Sequence, residues 1–454
     1  MRNRVLFATA GVLFASTTLR AQQNVAGTWY GAVSLAGGDF SLRVDLTRSD
    51  SGVAAVMSIR ESKLIGFPVP DAQFVNRSLR LSVPKGWGLA MFRDIGLAED
   101  EQIICFEGDV AGDSIPGTLQ LAYAKFPMTL RRAEAAAPSI RQEAITFANG
   151  DVSLSGTLYL PERGNRFPAV VFTHSSGEHT RAGYAQEAER LAAVGVAALV
   201  YDKRGAGKST GANWTVATFD ELADDAAQAV RALRSRPDID SRRIGLYGLS
   251  QGTWLIGMVA ARIPDIGFLV FVSGSGISVW EQEVYRTGAM MRAAGYSDAE
   301  VTEAQAYQRT KFAVARTGVG WRALDSLSKV LKQRPARWFD GYAQDYASLS
   351  SARFWWLAAF HYDPMPVLEH LTMPVLGLFG DKDLSFPIPA VVDSMRAAFR
   401  RAGNKDVTLK VFAGAEHQLM VPQAYGGRML RRVVTPEYLP TFVNWVMEHA
   451  TRRK

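Results

Sequence analysis

Three side chains that could together perform nucleophilic catalysis are spread over the second half of the chain. Ser250 lies in a Gly-x-Ser-x-Gly pentapeptide at residues 248–252, and Asp383 and His417 follow it in that order. A serine hydroxyl becomes a nucleophile when a histidine takes its proton and a carboxylate holds that imidazole in the right tautomer. These residue types, in this order, predict acyl transfer through a covalent intermediate on Ser250.

Short apolar segments precede each of these groups and would position them. Residues 243–247, 373–379 and 407–412 are each typical of a buried strand. A serine at a sharp turn between such a strand and a helix takes strained backbone angles, and the flanking glycines let the helix pass close by. In that turn the backbone N–H of Gln251 points to the oxygen that becomes charged in the tetrahedral intermediate.

The motifs and their order resemble the alpha/beta-hydrolase family over residues 144–450. In that family the nucleophile turn is followed by a loop that runs from a glycine through an acid to a proline, as residues 380–387 do. A G-x-x-H loop comes next, as at residues 414–417. The resemblance implies an α/β fold with a mostly parallel sheet and a helical lid. It also implies that Asp383, the last carboxylate of its loop, is the acid of a triad, with Asp381 as the alternative.

The resemblance extends to a loop that follows an earlier apolar segment. Residues 174–177 look like the His-Gly-x-Gly turn of the family, although Ser175 replaces the usual glycine. The turn implies that the backbone N–H of Ser176 is a second oxyanion-hole donor beside that of Gln251. It also implies that His174 orders the loop by hydrogen bonding. Ser175 must then either take a conformation that a residue with a Cβ tolerates or accept some backbone strain.

The letters GAGKST at residues 205–210 suggest a phosphate-binding motif, which the rest of the pattern excludes. The P-loop pattern requires a glycine where Asp202 stands, and the dinucleotide pattern requires one where Thr210 stands. The segment is instead similar to the D-x-R-G-x-G-x-S turn that follows a strand in alpha/beta hydrolases. Arg181, earlier in the chain, either matches an arginine of some bacterial esterases of this family or is a solvated surface residue.

Composition and the first residues argue against a nucleic-acid partner and a stable membrane span. The net charge of +7 comes from 51 Lys and Arg mixed with 44 Asp and Glu, which is unlike the basic patch of a nucleic-acid-binding protein. Residues 1–21 have the charged, apolar and small-residue regions of a signal peptide, so we expect an exported, periplasmic or secreted protein without a stable membrane span. An uncleaved anchoring start is the alternative. Cys105 is the single cysteine, which excludes an intramolecular disulfide.

Residues 24–132 predict a separate all-β domain. Short segments of alternating apolar and polar residues are separated there by Gly, Pro, Asp or Ser, which is typical of a small antiparallel barrel or sandwich. One of these segments, residues 74–83, predicts a single long strand. Residues 133–143 are expected to form a linker to the second domain.

Strand and helix patterns alternate from residue 144 onwards, which predicts a parallel sheet covered on both faces. An insertion with helical patterns and many aromatic residues, about 277–360, is expected to form the lid. Because every catalytic motif lies beyond the linker, we expect the second domain to carry the chemistry without the β domain. The β domain would then assist substrate access, assembly or localisation.

The residues together predict a serine hydrolase that cleaves a small-molecule carboxylic ester without a metal or organic cofactor. Ser250 would attack the carbonyl, His417 would take and return the proton, and Asp383 would orient His417. A serine peptidase acting on small peptides and an acyltransferase or thioesterase remain alternatives, because the same triad serves all of them. A binding protein without turnover is the alternative from a different class.

Overall fold

The structure of the 454-residue chain is a computed structural model. It describes residues 25–49, 52–87, 102–133, 140–213, 216–333, 338–339 and 362–452. The predicted signal peptide at residues 1–21, most of the predicted linker and the last part of the predicted lid lie outside the described residues.

The N-terminal domain is an antiparallel half-barrel around one apolar core. Its described strands are β1 (Gly27–Val33), β2 (Phe40–Ser49), β3 (Gly52–Ile59), β4 (Leu64–Pro68), β5 (Asp71–Val75), β6 (Ser78–Pro84), β7 (Gln102–Asp109), β8 (Ser114–Leu121) and β9 (Ala124–Arg132). They pair in the order β4-β3-β2-β1-β9-β8-β7-β6-β5. Alternate side chains, among them Trp29 and Phe40, are buried in the core, as the period of two in a strand requires. This sheet confirms the predicted all-β class.

The prediction of one long strand over residues 74–83 is wrong. Strand β5 ends at Val75, and the chain turns back into β6 through Asn76 and Arg77, which have φ angles of 50° and 74°. Two successive residues with positive φ close a two-residue hairpin whose twist matches that of the strands. The alternating pattern continues through this turn, so periodicity alone did not reveal it.

The second domain is built on a mostly parallel sheet. Its strands are β10 (Ile140–Asn149), β11 (Val152–Pro161), β12 (Phe167–Thr173), β13 (Ala197–Tyr201), β14 (Ile239–Leu249), β15 (Leu269–Val272), β16 (Val375–Gly380) and β17 (Val407–Phe412). They pair in the order β10-β11-β13-β12-β14-β15-β16-β17, and all pairs from β13 onwards are parallel. Strand β10 begins at Ile140, so the predicted linker 133–143 is shorter than expected.

Helices cover both faces of this sheet, which confirms the predicted α/β class. The described helices are α1 (Ala185–Ala193), α2 (Phe219–Arg234), α3 (Gln251–Arg262), α4 (Val279–Ala293), α5 (Asp298–Thr317), α6 (Trp321–Gln333), α7 (Met365–Leu368), α8 (Ile388–Arg401) and α9 (Tyr438–Thr451). Helices α2, α3 and α8 pack on one face, and α1 and α9 pack on the other. Helices α4 to α6 occupy the predicted lid segment. Within the described ranges, no helix is long and apolar enough to cross a membrane.

The two domains share side chains, in contrast to the expected division between them. A hairpin of β18 (Met420–Tyr425) and β19 (Arg428–Val434) follows the predicted base His417, and its Leu430 is fully buried in the core of the β domain. In the other direction, Lys63 of the β domain forms a 3.1 Å ion pair with Glu187 of α1, whose side chain is buried. The β domain is therefore anchored to the segment that follows the predicted base.

Candidate active site

Ser250 stands at a strained turn between β14 and α3. Its φ and ψ angles are 53° and −117°, which a residue with a Cβ adopts only when its surroundings impose them. A Cβ on Gly248 would lie 2.3 Å from the carbonyl oxygen of Gly252, and one on Gly252 would lie 2.7 Å from Oγ1 of Thr173. The two glycines of the pentapeptide are therefore required by close backbone packing, as the motif predicts.

The substitution Gly248→Ala is expected to slow labelling of Ser250 by a fluorophosphonate probe by about 10²-fold, because a small displacement of a reacting group costs that much. The added methyl group would push α3 away from the turn. Gly257→Ala in helix α3 is the matched control, since its Cβ would make an ordinary 3.5 Å contact with Val367 of α7. Equal labelling rates for the two variants would contradict the packing argument.

Asp383 and His417 are brought together at the carboxyl ends of neighbouring strands β16 and β17. Oδ2 of Asp383 lies 2.8 Å from Nδ1 of His417, and the Asp383 side chain is fully buried. Its other oxygen, Oδ1, accepts hydrogen bonds from the backbone N–H groups of Ser385 and Phe386 at 2.6 and 3.1 Å. The carboxylate is thus fixed in the orientation that holds the ring of His417.

The alternative acid, Asp381, faces a different group. Its Oδ1 accepts a 2.6 Å hydrogen bond from the backbone N–H of Gly414, and its side chain is two-fifths exposed. This hydrogen bond fastens the loop before His417, whereas Nδ1 of the imidazole is bonded to Asp383. The geometry therefore favours Asp383 over Asp381 as the partner of His417.

A series of aromatic rings connects the turn of Ser250 with His417. Trp254, one helical turn beyond Ser250, packs on Phe386 with ring centroids 5.7 Å apart. Phe386 in turn stacks on the ring of His417 at 5.8 Å and 10°. No hydrogen bond joins Ser250 to His417, both of which lie in the described part of the chain.

The loop at residues 174–177 lies against the first turn of α3, since a Cβ on Gly252 would be 3.0 Å from the carbonyl oxygen of His174. The left-handed position in this loop is taken by Gly177, with a φ of 117°, and not by Ser175. Ser175 therefore replaces the glycine of the family without backbone strain. The N–H of Gln251 is the first of helix α3, where backbone donors have no partner inside the helix.

His174 is buried and orders this loop, as the resemblance implies. Its Nε2 lies 2.5 Å from the carbonyl oxygen of Tyr201 at the end of β13. Burial, together with the nearby charge of Lys203, lowers the pKa of His174 to about 3. The ring is therefore neutral at physiological pH and holds the loop by a hydrogen bond.

A buried lysine that the sequence analysis did not single out lies between the two predicted oxyanion donors. Nζ of Lys203 donates to the carbonyl oxygen of Ser175 at 2.9 Å and to Oε1 of Gln251 at 2.8 Å. Burial lowers the pKa of Lys203 to about 7. A lysine inside a D-x-R-G turn gives no local sign of burial, so only its position next to the motif could have drawn attention to it.

The turn at residues 202–210 is held by charged side chains that connect the sheet with its helices. Asp202 accepts from the side chain of Arg181 at 2.7 Å and from the backbone N–H of Lys208 at 2.9 Å. Arg204 forms two 2.7 Å hydrogen bonds with Asp225 of α2, and both side chains are buried. Arg181 is thus not a solvated surface arginine, because its hydrogen bonds to Asp202, Gly156 and Ser155 fasten this turn to the sheet.

A cavity of about 640 Å³ opens beside His417 and Asp383. Tyr285 and Met290 of α4 form one side of it, which brings the predicted lid next to the site. The cavity is also lined by Asp381, Lys382, Leu384, Ser385, Glu416, Gln418, Met420 and Arg432. Such a volume suits a small organic substrate.

The profile of the serine aminopeptidase S33 family of hydrolases matches residues 164–423, more than half of the chain. The chain belongs to this alpha/beta-hydrolase family. The matched residues include the predicted oxyanion loop at residues 174–177, the turn of Ser250, and both Asp383 and His417. Membership of the S33 family makes the chain a hydrolase.

Two curated proteins match this S33 family member over shorter segments. The quorum-quenching protein AidA of Acinetobacter baumannii is 32% identical over 108 residues, which are 24% of this chain and 36% of AidA. The thiohydrolase apmlB of Arthrinium phaeospermum is 30% identical over 105 residues, which are 23% of this chain and 34% of that protein. The matched segments thus span about a third of these curated relatives.

Solved structures of other hydrolases align with the chain at low identity. An esterase of Pyrococcus furiosus is 16% identical, with a TM-score of 0.44, and the alignment covers 70% of this chain and 95% of that one. A proline iminopeptidase of Mycobacterium smegmatis is 18% identical, with a TM-score of 0.41, and the alignment covers 68% and 99%.

Proposed function

We propose that this protein is a serine hydrolase that cleaves carboxylic esters through an acyl-enzyme intermediate. Ser250 attacks the ester carbonyl while His417 takes its proton, and His417 then gives the proton to the departing alcohol. Asp383 keeps the imidazole in the tautomer that accepts at Nε2. Water then attacks the acyl group on Ser250, with His417 as the base, and the free acid leaves.

The observation that carries the proposal is the 2.8 Å contact between Asp383 and His417, together with the strained turn that holds Ser250 after β14. Strands β14, β15, β16 and β17 are consecutive and parallel, so their carboxyl ends lie at one edge of the sheet. In open α/β sheets this edge is where ligands bind. The backbone N–H groups of Gln251 and Ser176 are the proposed oxyanion donors at the same edge.

The charges around the cavity favour a neutral ester over a peptide with a free amine. Glu416 is ion-paired with Arg432 at 2.9 Å, and Asp383 is engaged by His417. Asp381 accepts from a backbone N–H and lies 3.8 Å from Lys382. The described carboxylates that line the cavity thus already have partners, whereas an aminopeptidase needs one that receives the substrate ammonium group.

Thioester hydrolysis is a second candidate, because an acyl-enzyme forms equally from a thioester and one relative carries the name thiohydrolase. A binding protein without turnover is less well supported. Such a protein has no need of the serine in its strained turn, of the paired acid and of the base, and this chain has all three.

The test is turnover of p-nitrophenyl acetate, butyrate and octanoate beside aminoacyl p-nitroanilides and an acyl-thiocholine. We expect the esters to have the highest kcat/KM and a fluorophosphonate to label one residue per chain, located by mass spectrometry on the peptide of Ser250. Ser250→Ala serves as the blank and should be neither active nor labelled. A higher kcat/KM for the anilides would replace the ester proposal by a peptidase, and labelling elsewhere would overturn the nucleophile.

A further inference from the structure

We propose that Lys203 is a positioning residue of the oxyanion hole, which aims both backbone donors at the same point. This inference rests on the proposed function, since the donors are those of Ser176 and Gln251. Lys203 follows β13 within the turn that resembled a phosphate-binding motif, and its side chain is almost completely buried. Its ammonium group reaches the oxyanion loop and the start of α3 at once.

The first contact fixes the direction of the Ser176 N–H. The carbonyl that accepts from Lys203 is that of Ser175, and this carbonyl and the N–H of Ser176 belong to one peptide unit. The peptide is planar and trans, so its C=O and N–H point in opposite directions. A carbonyl held towards Nζ at 2.9 Å therefore turns the N–H away from Lys203. A positive charge on the carbonyl also polarises the peptide and makes its N–H a stronger donor.

The second contact holds the residue that carries the other donor. Oε1 of Gln251 accepts from Nζ at 2.8 Å, and the Gln251 side chain is buried. Its Nε2 is also buried and has no hydrogen-bond partner within the described residues. Within the described residues, Lys203 thus holds the side chain of Gln251, the residue directly after Ser250. One ammonium group links the two donors that arise from β12 and from α3.

The remaining contacts of this region keep the loop compact around Lys203. The backbone N–H of Lys203 donates to the carbonyl oxygen of His179 at 3.0 Å. Nε2 of His179 lies 2.7 Å from Oγ of Ser175 and 2.9 Å from the carbonyl oxygen of Ser176. The carbonyl oxygens of Ser175 and Ser176 are therefore both engaged, while the N–H of Ser176 points away from Lys203 and is available to the oxyanion.

The proton on Lys203 gives the proposal a measurable pH dependence. With a pKa lowered to about 7 by burial, the ammonium group is present below about pH 7 and is lost above it. The charged and titratable groups around it include His174, His179 and Asp225 of α2. Burial lowers the pKa of both histidines, and because that of His174 falls to about 3, His174 stays neutral while Lys203 titrates. Asp225 is ion-paired with Arg204 and favours the ammonium form.

The test compares the hydrolysis of the best p-nitrophenyl ester by Lys203→Met and by the wild-type protein. Removing one oxyanion donor from an enzyme costs about 10²–10³-fold in kcat, and we expect misdirected donors to cost about 10–10²-fold, with KM changed less than about threefold. The inhibition constant of phenylboronic acid, which forms a tetrahedral anion on a catalytic serine, should rise by a similar factor. The ratio of wild-type to variant kcat should be largest below pH 7 and shrink above it.

Lys311→Met is the matched control, because Lys311 is an equally buried lysine on α5. Lys311→Met should change neither kcat nor the inhibition constant of phenylboronic acid. Gln251→Met provides a second variant that removes one contact while Lys203 stays, and it should also lower kcat and weaken the boronate. If Lys203→Met does not fold, Gln251→Met decides, and an unchanged kcat and boronate constant would overturn the proposal.

The outcomes separate this inference from the proposed function. If the wild type hydrolyses esters and Ser250→Ala does not, while Lys203→Met keeps kcat and the boronate constant, the positioning role fails and the hydrolase stands. If Lys203 had only a structural role, Lys203→Met would lower the melting temperature but leave the ratio of wild-type to variant kcat independent of pH. That result would also overturn the inference. If the wild type shows no turnover and no fluorophosphonate labelling, the proposed function itself fails.

Discussion

Asparagine in place of Asp383 is expected to lower kcat by about 10⁴-fold while the fold is kept, because the loss acts through the tautomer of the base. Oδ1 of Asp383 accepts from two backbone N–H groups, so the carbonyl oxygen of an asparagine would take that side. The amide nitrogen would then face Nδ1 of His417, where Oδ2 now lies at 2.8 Å. The asparagine amide and Nδ1–H of His417 would then be two donors facing each other. The ring would therefore switch to the tautomer that is protonated at Nε2, which cannot accept the proton of Ser250.

Steady-state kinetics on a p-nitrophenyl ester measures this effect, beside circular dichroism to show that the variant is folded. Asp381→Asn is the matched control, because its carboxylate faces Gly414 at a half-exposed position and should leave kcat within about threefold. Ser250→Ala and His417→Ala should each lose at least as much activity as Asp383→Asn, and double variants should lose little more than Ser250→Ala or His417→Ala alone, since the three groups act as a unit. A crippled Asp381→Asn beside a nearly active Asp383→Asn would reverse the assignment of the acid.

The turn of Ser250 could be predicted from the sequence because its constraint is local. A strand, a serine with positive φ and two glycines without room for a Cβ must occur together, and they occupy consecutive residues. The α/β class was predictable for a similar reason, because strand and helix periodicities extend over many residues. Helix α2 shows this well, with Thr218 and Glu221 forming the capping box at its start.

Lys203 and the β18–β19 hairpin could not be placed from the sequence because their roles depend on distant contacts. Burial of Lys203 requires the oxyanion loop and α3, which lie far from it along the chain. The hairpin itself had a local signal, the pair Gly426 and Gly427 between alternating residues. The packing of the hairpin had no local signal, since nothing in residues 420–434 shows that Leu430 is buried in a core formed by residues 25–130.

The shared side chains predict that the two domains unfold as one cooperative unit. Leu430 is fully buried among side chains of the β domain, so Leu430→Ala should lower the free energy of unfolding by about 2–5 kcal/mol. Removal of the whole β domain would in addition take away Lys63, the ion-pair partner of Glu187, and would expose the apolar side chain of Leu430 to water. A chain that starts at Ile140 is therefore expected to be much less stable than the full protein.

Scanning calorimetry and residual esterase activity test this coupling. The full protein should show a single transition, Leu430→Ala should shift that transition as a whole, and activity should be lost at the same temperature as structure. The effect on activity follows because the hairpin continues directly from His417, and Arg432 within it pairs with Glu416. Val75→Ala is the control, since this exposed side chain of the β domain should change the free energy of unfolding by less than about 0.5 kcal/mol. Two separate transitions, of which Leu430→Ala shifts only one while activity follows the other, would show that the domains are independent and that the β domain does not support the base.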